Sequence, residues 1–263
     1  MSQCITRKRN KWFSPTGKKL TGGHEKRARK LAIPPAYTEV CISPKPNAKL
    51  QGTALDAKGK KHYYYHTDFT KEQTKKRLKR VKTIDRGAIL RHTGTIIRKN
   101  KMDKQWSAAV ALRLVLLTGI RTSQKSAESV GLLNLRPSHV RVSRGQLRLV
   151  FVGKSKQKQN LLIKDALLKK ALVMLKRRQG RNPIFDVSRS DIVSILSHHG
   201  ENLKLKDLRT RLAIETFHAK RKAIQKSNPS WDMKKVDKEA LKHAASLLGH
   251  TPSVCKKYYV LEK

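Results

Sequence analysis

The chain has 263 residues, with 61 Lys and Arg against 18 Asp and Glu, a formal net charge of +43. So large an excess repels itself in a compact fold unless a polyanion takes part, and nucleic acid is the partner it implies ahead of an anionic membrane surface. The length and the 38% hydrophobic content suffice for one or two domains with real cores. No run approaches the 18 uncharged apolar residues of a membrane span, and the N-terminal MSQCITRKRNKWFSP lacks the apolar stretch of a secretory signal.

In chain order, residues 1–30 are basic and polar and read as an extended or poorly ordered arm. Between residues 31 and 69, short apolar or alternating runs (Thr38–Ser43, Leu50–Leu55, His62–His66) are punctuated by Pro-Pro, Pro-Asn and Lys-Gly, which predicts a small antiparallel β unit. From Thr70 the chain turns helical and very basic, with a joint expected at Arg86-Gly87 and a domain boundary near residues 69–75. MDKQWSAAVALRLVLLTGIR is apolar on several faces and predicts a core helix stopped by Thr118-Gly119. Alternation at Val140/Val142 and Leu147/Leu149/Phe151, with turns at Ser143–Gly145 and Gly153–Gln159, predicts a three-stranded meander with Lys154 near a tip. The remainder is helical: Asp165 caps a helix closed by Gly180, Ser190 and Gly200 frame the next, and two longer helices lead to the C-terminus. The fold class expected is α+β, with a small β-rich lobe at residues 1–70 and a larger, mostly helical domain with the meander at residues 71–263.

The last residues, LLGHTPSVCKKYYV and LEK, hold the clearest chemical signal: His250, a turn at Thr251–Ser253, Lys256-Lys257, then Tyr258 and Tyr259. A phenol has an ordinary pKa of about 10 and is a poor nucleophile at neutral pH. Neighbouring cations favour its ionised form and stabilise a phosphorane as it develops, so tyrosine among cations suits attack on a phosphodiester. A surface aromatic pair is the plain alternative. Three further cations stand where such a site would use them: Arg121 after the core helix, Lys154 in FVGKSK, and Arg209 in KDLRT. Any one of them, among 61 Lys and Arg, is more commonly a solvated side chain; their joint order is what carries weight. The three cysteines, Cys4, Cys41 and Cys255, are odd in number and lack metal-like spacing. They read as free thiols in a reducing intracellular compartment, and with no Cys/His cluster a structural zinc is not expected.

These segments carry a resemblance. IPPAYTEVCISPKPNAKLQGTALDAKGKKHYYYH, GLLNLRPSHV, FVGKSK, KDLRT and LLGHTPSVCKKYYV together resemble the small type IB DNA topoisomerases of poxviruses, giant viruses and bacteria, from about residue 31 to the end. The resemblance implies Tyr259 as nucleophile, because it lies nine residues after His250 as the family spacing requires, whereas Tyr258 is one short. It implies Arg121, Arg209 and His250 as donors to the non-bridging oxygens and Lys154 as the acid for the departing 5′ oxygen. It further implies relaxation of supercoiled duplex DNA through a 3′-phosphotyrosyl link, strand rotation and religation, by a monomer without ATP, metal or small-molecule cofactor, in a host cell, virion or bacterial cytoplasm. The run at His62, Tyr63 and Tyr65 is similar to the family's major-groove strand, with Tyr63 and Tyr65 alternating onto one face; tyrosines packed between strands are the alternative. Lys206 matches a backbone-contacting lysine, and Arg136 is a candidate phosphate contact.

One segment departs from the family pattern. After the first arginine the chain reads IRTSQKSAESVGLLNLRPSHV, shorter than usual and without a Tyr; Arg121 is assigned from its place after the core helix, with Arg136 as the alternative. LLTGIRTSQ also resembles the first box of the tyrosine recombinases, which share this chemistry. Those enzymes carry His three residues before the second arginine, where this chain has Lys206. A non-catalytic basic DNA-binding protein fits the charge, but leaves the ordered set ending at Tyr259 unexplained.

Overall fold

The computed structural model describes residues 4–123, 129–178 and 183–259. The chain forms two compact units, Met1–Lys76 and Arg77–Lys263. The fold is α+β, as expected, and none of its described helices is long and apolar enough to cross a membrane.

The first unit is built on a five-stranded antiparallel sheet. The strands are β1 Ile5–Lys8, β2 Lys11–Phe13, β3 Thr38–Ile42, β4 Leu50–Leu55 and β5 Lys61–Tyr65, in the order β2-β1-β3-β4-β5. Helix α1, Gly22–Lys30, covers it, and Ile5, Trp12, Ala28, Ile33, Val40, Ile42 and Ala54 form the core. The three strands expected between residues 38 and 66 are present. The expected arm is corrected: residues 4–30 are folded, and β1 and β2 form a hairpin through Arg9-Asn10. Both of those residues have positive φ (45° and 61°), as a two-residue hairpin turn with the twist of the strands requires. Strands this short, with basic residues at Arg7, Lys8 and Lys11, hide the buried Ile5 and Trp12 from a pattern search.

The thiols are corrected as well. Cys4 and Cys41 are joined as a disulfide, with Cα atoms 5.3 Å apart, and only Cys255 is free. The pairing of β1 with β3 sets Thr6 opposite Cys41 and so brings Cys4 within bonding reach, across 37 residues of sequence.

Helix α2 spans Thr67–Lys82, and α3 (Arg86–Arg98) begins after a break at Thr83–Asp85. Asp85, just ahead of the expected joint, accepts from the Ala88 amide to cap α3. The core helix of the second unit is α4, Lys104–Thr118. Asp103 caps it through the Trp106 amide at 2.7 Å, and Trp106, Ala108–Leu112 and Leu114–Leu116 are all almost fully buried. Such a helix, apolar around its circumference, must lie inside the molecule. The long charged side chain in its middle, Arg113, donates to both oxygens of Asp165 (2.9 and 2.7 Å) and to the Leu90 carbonyl. Those hydrogen bonds, above all, hold the Asp165 carboxyl below its ordinary pKa.

Strands β6 (Val140–Ser143), β7 (Gln146–Val152) and β8 (Lys158–Ile163) form the expected meander. Leu147, Leu149 and Phe151 point inward, whereas Val142 is exposed. Asp165 caps α5 (Ala166–Arg178) through the Leu168 amide; Gly180, expected to close that helix, lies outside the described residues. Ser188, rather than Ser190, caps α6 (Arg189–Ser197), in a reciprocal box with Asp191. Then follow α7 (Leu205–Ser227), α8 (Met233–Leu248) and the seven-residue α9 (Pro252–Tyr258).

Candidate active site

Four chain turns of the second unit deliver the candidate catalytic residues. Gly119 ends α4 in the left-handed conformation (φ 63°), which glycine adopts without strain, and the chain swings into Ile120-Arg121. The Arg121 carbonyl accepts from the Leu132 amide at 2.7 Å. A clip centred on Asn134 gathers the surroundings: its Oδ1 accepts from Ser123 Oγ and the Gly131 amide, both at 2.7 Å. A Cβ at Gly131 would lie 2.5 Å from the Arg121 carbonyl, so the close approach needs glycine. Residues 124–128, part of the segment that departs from the family pattern, lie outside the described residues.

Arg209 lies in the N-terminal part of α7, whose first turn is fixed by Asp207 accepting from the Lys204 amide at 3.1 Å. Gly249 (φ 62°) closes α8. Its amide bonds to the Ser246 carbonyl and that of His250 to the Ala245 carbonyl, the paired pattern of a Schellman ending. That ending sets the direction of His250. Thr251 and Pro252 then start α9, and Tyr259 sits at its C-terminal cap, its amide bonded to the Cys255 carbonyl at 2.9 Å.

These turns converge. Arg121 Nη2 lies 3.2 Å from His250 Nδ1, and Arg209 Nη2 lies 3.3 Å from His250 Nε2. The His250 and Tyr259 rings stack with centroids 4.9 Å apart, and the Arg209 guanidinium lies 6.0 Å from the Tyr259 ring centre. Arg209 and Tyr259 are each only 6% exposed, so the cation and the phenol meet largely away from water. Burial lowers the pKa of Arg209, against the pull of Tyr259. Burial first, then Arg121 and Arg209, push His250 down to about 4. At neutral pH it is therefore an uncharged imidazole with one N–H to donate.

Lys154 projects from the turn between β7 and β8, where Ser155 and Lys156 have positive φ (60° and 56°). It lines the same cavity as Arg121, Arg209 and Tyr259, a space of about 870 Å³. Lys206 lines it as well, exposed on the first turn of α7. Arg136 does not: it is exposed ahead of the turn Pro137–His139, its amide bonded to His139 Nδ1. The cavity also holds two cations that the sequence did not single out, Arg189 and Lys204. Arg189 donates to the Thr122 carbonyl at 3.1 Å, next to Arg121. Nothing in its local sequence sets it apart from the other basic residues.

In the first unit, Tyr63 and Tyr65 are 55% and 49% exposed on one face of β5, and Tyr64 packs against the core. His62 shares the face of Tyr64. Its Nε2 is 2.8 Å from Asp56 Oδ2 and its ring packs on Tyr37, so it does not join the two exposed tyrosines. Among the described residues, no group of three or more His, Cys, Asp or Glu side chains has the arrangement of a metal site.

Residues 56–262 match the family described as eukaryotic DNA topoisomerase I, catalytic core, and residues 10–56 match the bacterial DNA topoisomerase IB N-terminal domain. The chain thus belongs to the type IB DNA topoisomerase family, whose members are DNA-binding isomerases. It is similar to DNA topoisomerase 1B of Acanthamoeba polyphaga mimivirus, at 27% identity over 276 residues, covering 95% of this chain and 81% of the viral one. It is also similar to DNA topoisomerase 1B of vaccinia virus (strain Copenhagen), at 27% identity over 216 residues, covering 78% of this chain and 68% of the relative.

Proposed function

We propose that this topoisomerase relaxes supercoiled duplex DNA through a tyrosine-linked single-strand break. Tyr259 Oη attacks the scissile phosphorus. The Tyr O–P bond forms as the P–O5′ bond breaks, the phenolic proton passes to solvent water, and the Lys154 ammonium gives a proton to the departing 5′ oxygen. The broken strand rotates about the intact one, and the 5′ hydroxyl then attacks the phosphotyrosine in the reverse reaction. One phosphoester replaces another at each step, so the cycle needs no ATP. Arg121, Arg209 and the N–H of His250 stabilise the charge on the non-bridging oxygens, the role a metal ion fills elsewhere.

The observation that carries this proposal is the packing of His250 between two guanidinium groups and against the Tyr259 ring. Buried donors fixed in advance act more strongly on a developing charge than solvated ones. Lys206 and Arg136 serve as backbone contacts. Tyr63 and Tyr65 read base edges from residues 1–70, which hold the DNA while residues 71–263 cut it, and the protein works as a monomer. His62, engaged by Asp56, supports that face rather than touching bases.

The test is to quench a reaction on duplex DNA with detergent and look for protein joined to the 3′ phosphate of the cut strand. The wild-type protein is expected to give this adduct and Tyr259→Phe none, with DNA binding retained. An adduct that persists in Tyr259→Phe would overturn the assignment.

A further inference from the structure

The geometry points to Arg77 as a positioning residue that locks the end of the nucleophile's helix, an inference that rests on Tyr259 being the nucleophile. Helix α9 has only seven residues, and Tyr259 lies at its C-terminal cap. Helix ends are where backbone carbonyls lose their partners and the chain frays. The last helical carbonyl, that of Tyr258, immediately before the nucleophile, accepts a 3.0 Å hydrogen bond from Arg77 Nη2. A cation at this end also meets the negative pole of the helix.

Arg77 is not a loose surface arginine. It is half-buried, and its Nε is enclosed without a hydrogen-bond partner among the described residues. Burial lowers its pKa, opposed by the charge of Asp207 and by Tyr259. Asp207 is itself 1% exposed and fixed twice, accepting from Arg80 Nε at 3.2 Å and from the Lys204 amide at 3.1 Å. Arg77 and Arg80 are three apart and share a face of α2. Through them, α2 connects the first turn of α7, which carries Arg209, to the last residue of α9, which precedes Tyr259. Arg77 therefore sets the distance between the nucleophile and its guanidinium partner without touching the reacting atoms.

The experiment mixes excess protein with supercoiled plasmid, quenches in detergent, and follows the rate of adduct formation for wild type, Arg77→Ala, Arg77→Lys and Tyr259→Phe. Melting temperature and DNA half-saturation over a salt series are measured alongside. Arg77→Ala is expected to slow adduct formation at saturating protein by on the order of 10- to 100-fold, the cost of a misplacement of about 1 Å. Its half-saturation and melting temperature should stay near wild type, and Arg77→Lys should recover most of the rate. A wild-type rate at saturation, with weaker binding and a salt slope reduced by about one, would make Arg77 a plain phosphate contact and overturn the proposal. Collapse of the melting temperature in both Arg77 variants would make it a purely structural residue and overturn it too. Absence of any wild-type adduct dependent on Tyr259 would fell the proposed mechanism and this inference together, whereas a Tyr259-dependent adduct formed at full rate by Arg77→Ala fells only the latter.

Discussion

His250 is the residue on which charge and geometry bear most directly. It has guanidinium groups facing both ring nitrogens, and burial with those two charges holds it neutral down to about pH 4. The sign of the consequence follows from the folded value lying below the unfolded one, about 6.5. The unfolded chain takes up a proton first, so the contribution of this residue to stability is complete above about pH 6.5 and is lost as the pH falls toward about 4. Wild type should therefore lose stability across that window more steeply than His250→Asn, which does not titrate. Parallel denaturation curves at several pH values check this, and identical pH slopes would contradict it. His250, Arg121, Lys154, Arg209 and Tyr259 were all legible in the sequence because each sits in a short motif and the motifs follow a fixed order. Asp207, Asn134, Arg189 and Arg77 were not. Their roles come from contacts made across 181 residues in the case of Arg77 and Tyr258, and one more arginine among 61 cations carries no local mark.

Among the elements, the end of α4 is the most exacting joint. A Cβ at Gly119 would lie 2.5 Å from Leu248 Cδ2 and 3.1 Å from Leu212 Cδ2, and the backbone there has φ 63°. Gly119→Ala should cost roughly 1–3 kcal/mol through overpacking and the left-handed backbone. Because Leu248 immediately precedes Gly249 and His250, the substitution should also slow adduct formation. Thermal denaturation with the cleavage assay checks both effects. The Cys4–Cys41 disulfide is the corresponding feature of the first unit. Closing a loop of 37 residues is worth about 4 kcal/mol by chain entropy. Cys4→Ser, or reduction, should lower the unfolding midpoint of that unit, as followed by hydrogen exchange in β1 and β3. The core helix and both sheets' main strands were legible because apolar runs of this length and period have few other homes. The β1–β2 hairpin and the disulfide were not: strands of four and three residues give too few repeats to show a period, and cysteine spacing says nothing about which strands pair.

At the scale of the whole molecule, the formal charge of +43 governs how the protein meets DNA. Neutralising phosphates releases counterions, so affinity falls with salt regardless of sequence. For 6–10 phosphate contacts, the dissociation constant measured by titration should rise roughly 10³- to 10⁵-fold between 50 and 200 mM salt. A flat response would mean that the excess charge is spread away from the DNA. The charge and the α+β class were legible from composition and pattern. The cavity that gathers Arg121, Lys154, Arg209 and Tyr259 was not, because it depends on how turns at four distant points of the chain pack together.

The measurement that bears most directly on the central claim is relaxation of negatively supercoiled plasmid by the purified protein in EDTA without ATP, beside Tyr259→Phe. Wild type is expected to relax the plasmid through a ladder of topoisomers, and the variant is expected not to relax it. Relaxation that requires a divalent ion or ATP, or that survives in Tyr259→Phe, would contradict that claim.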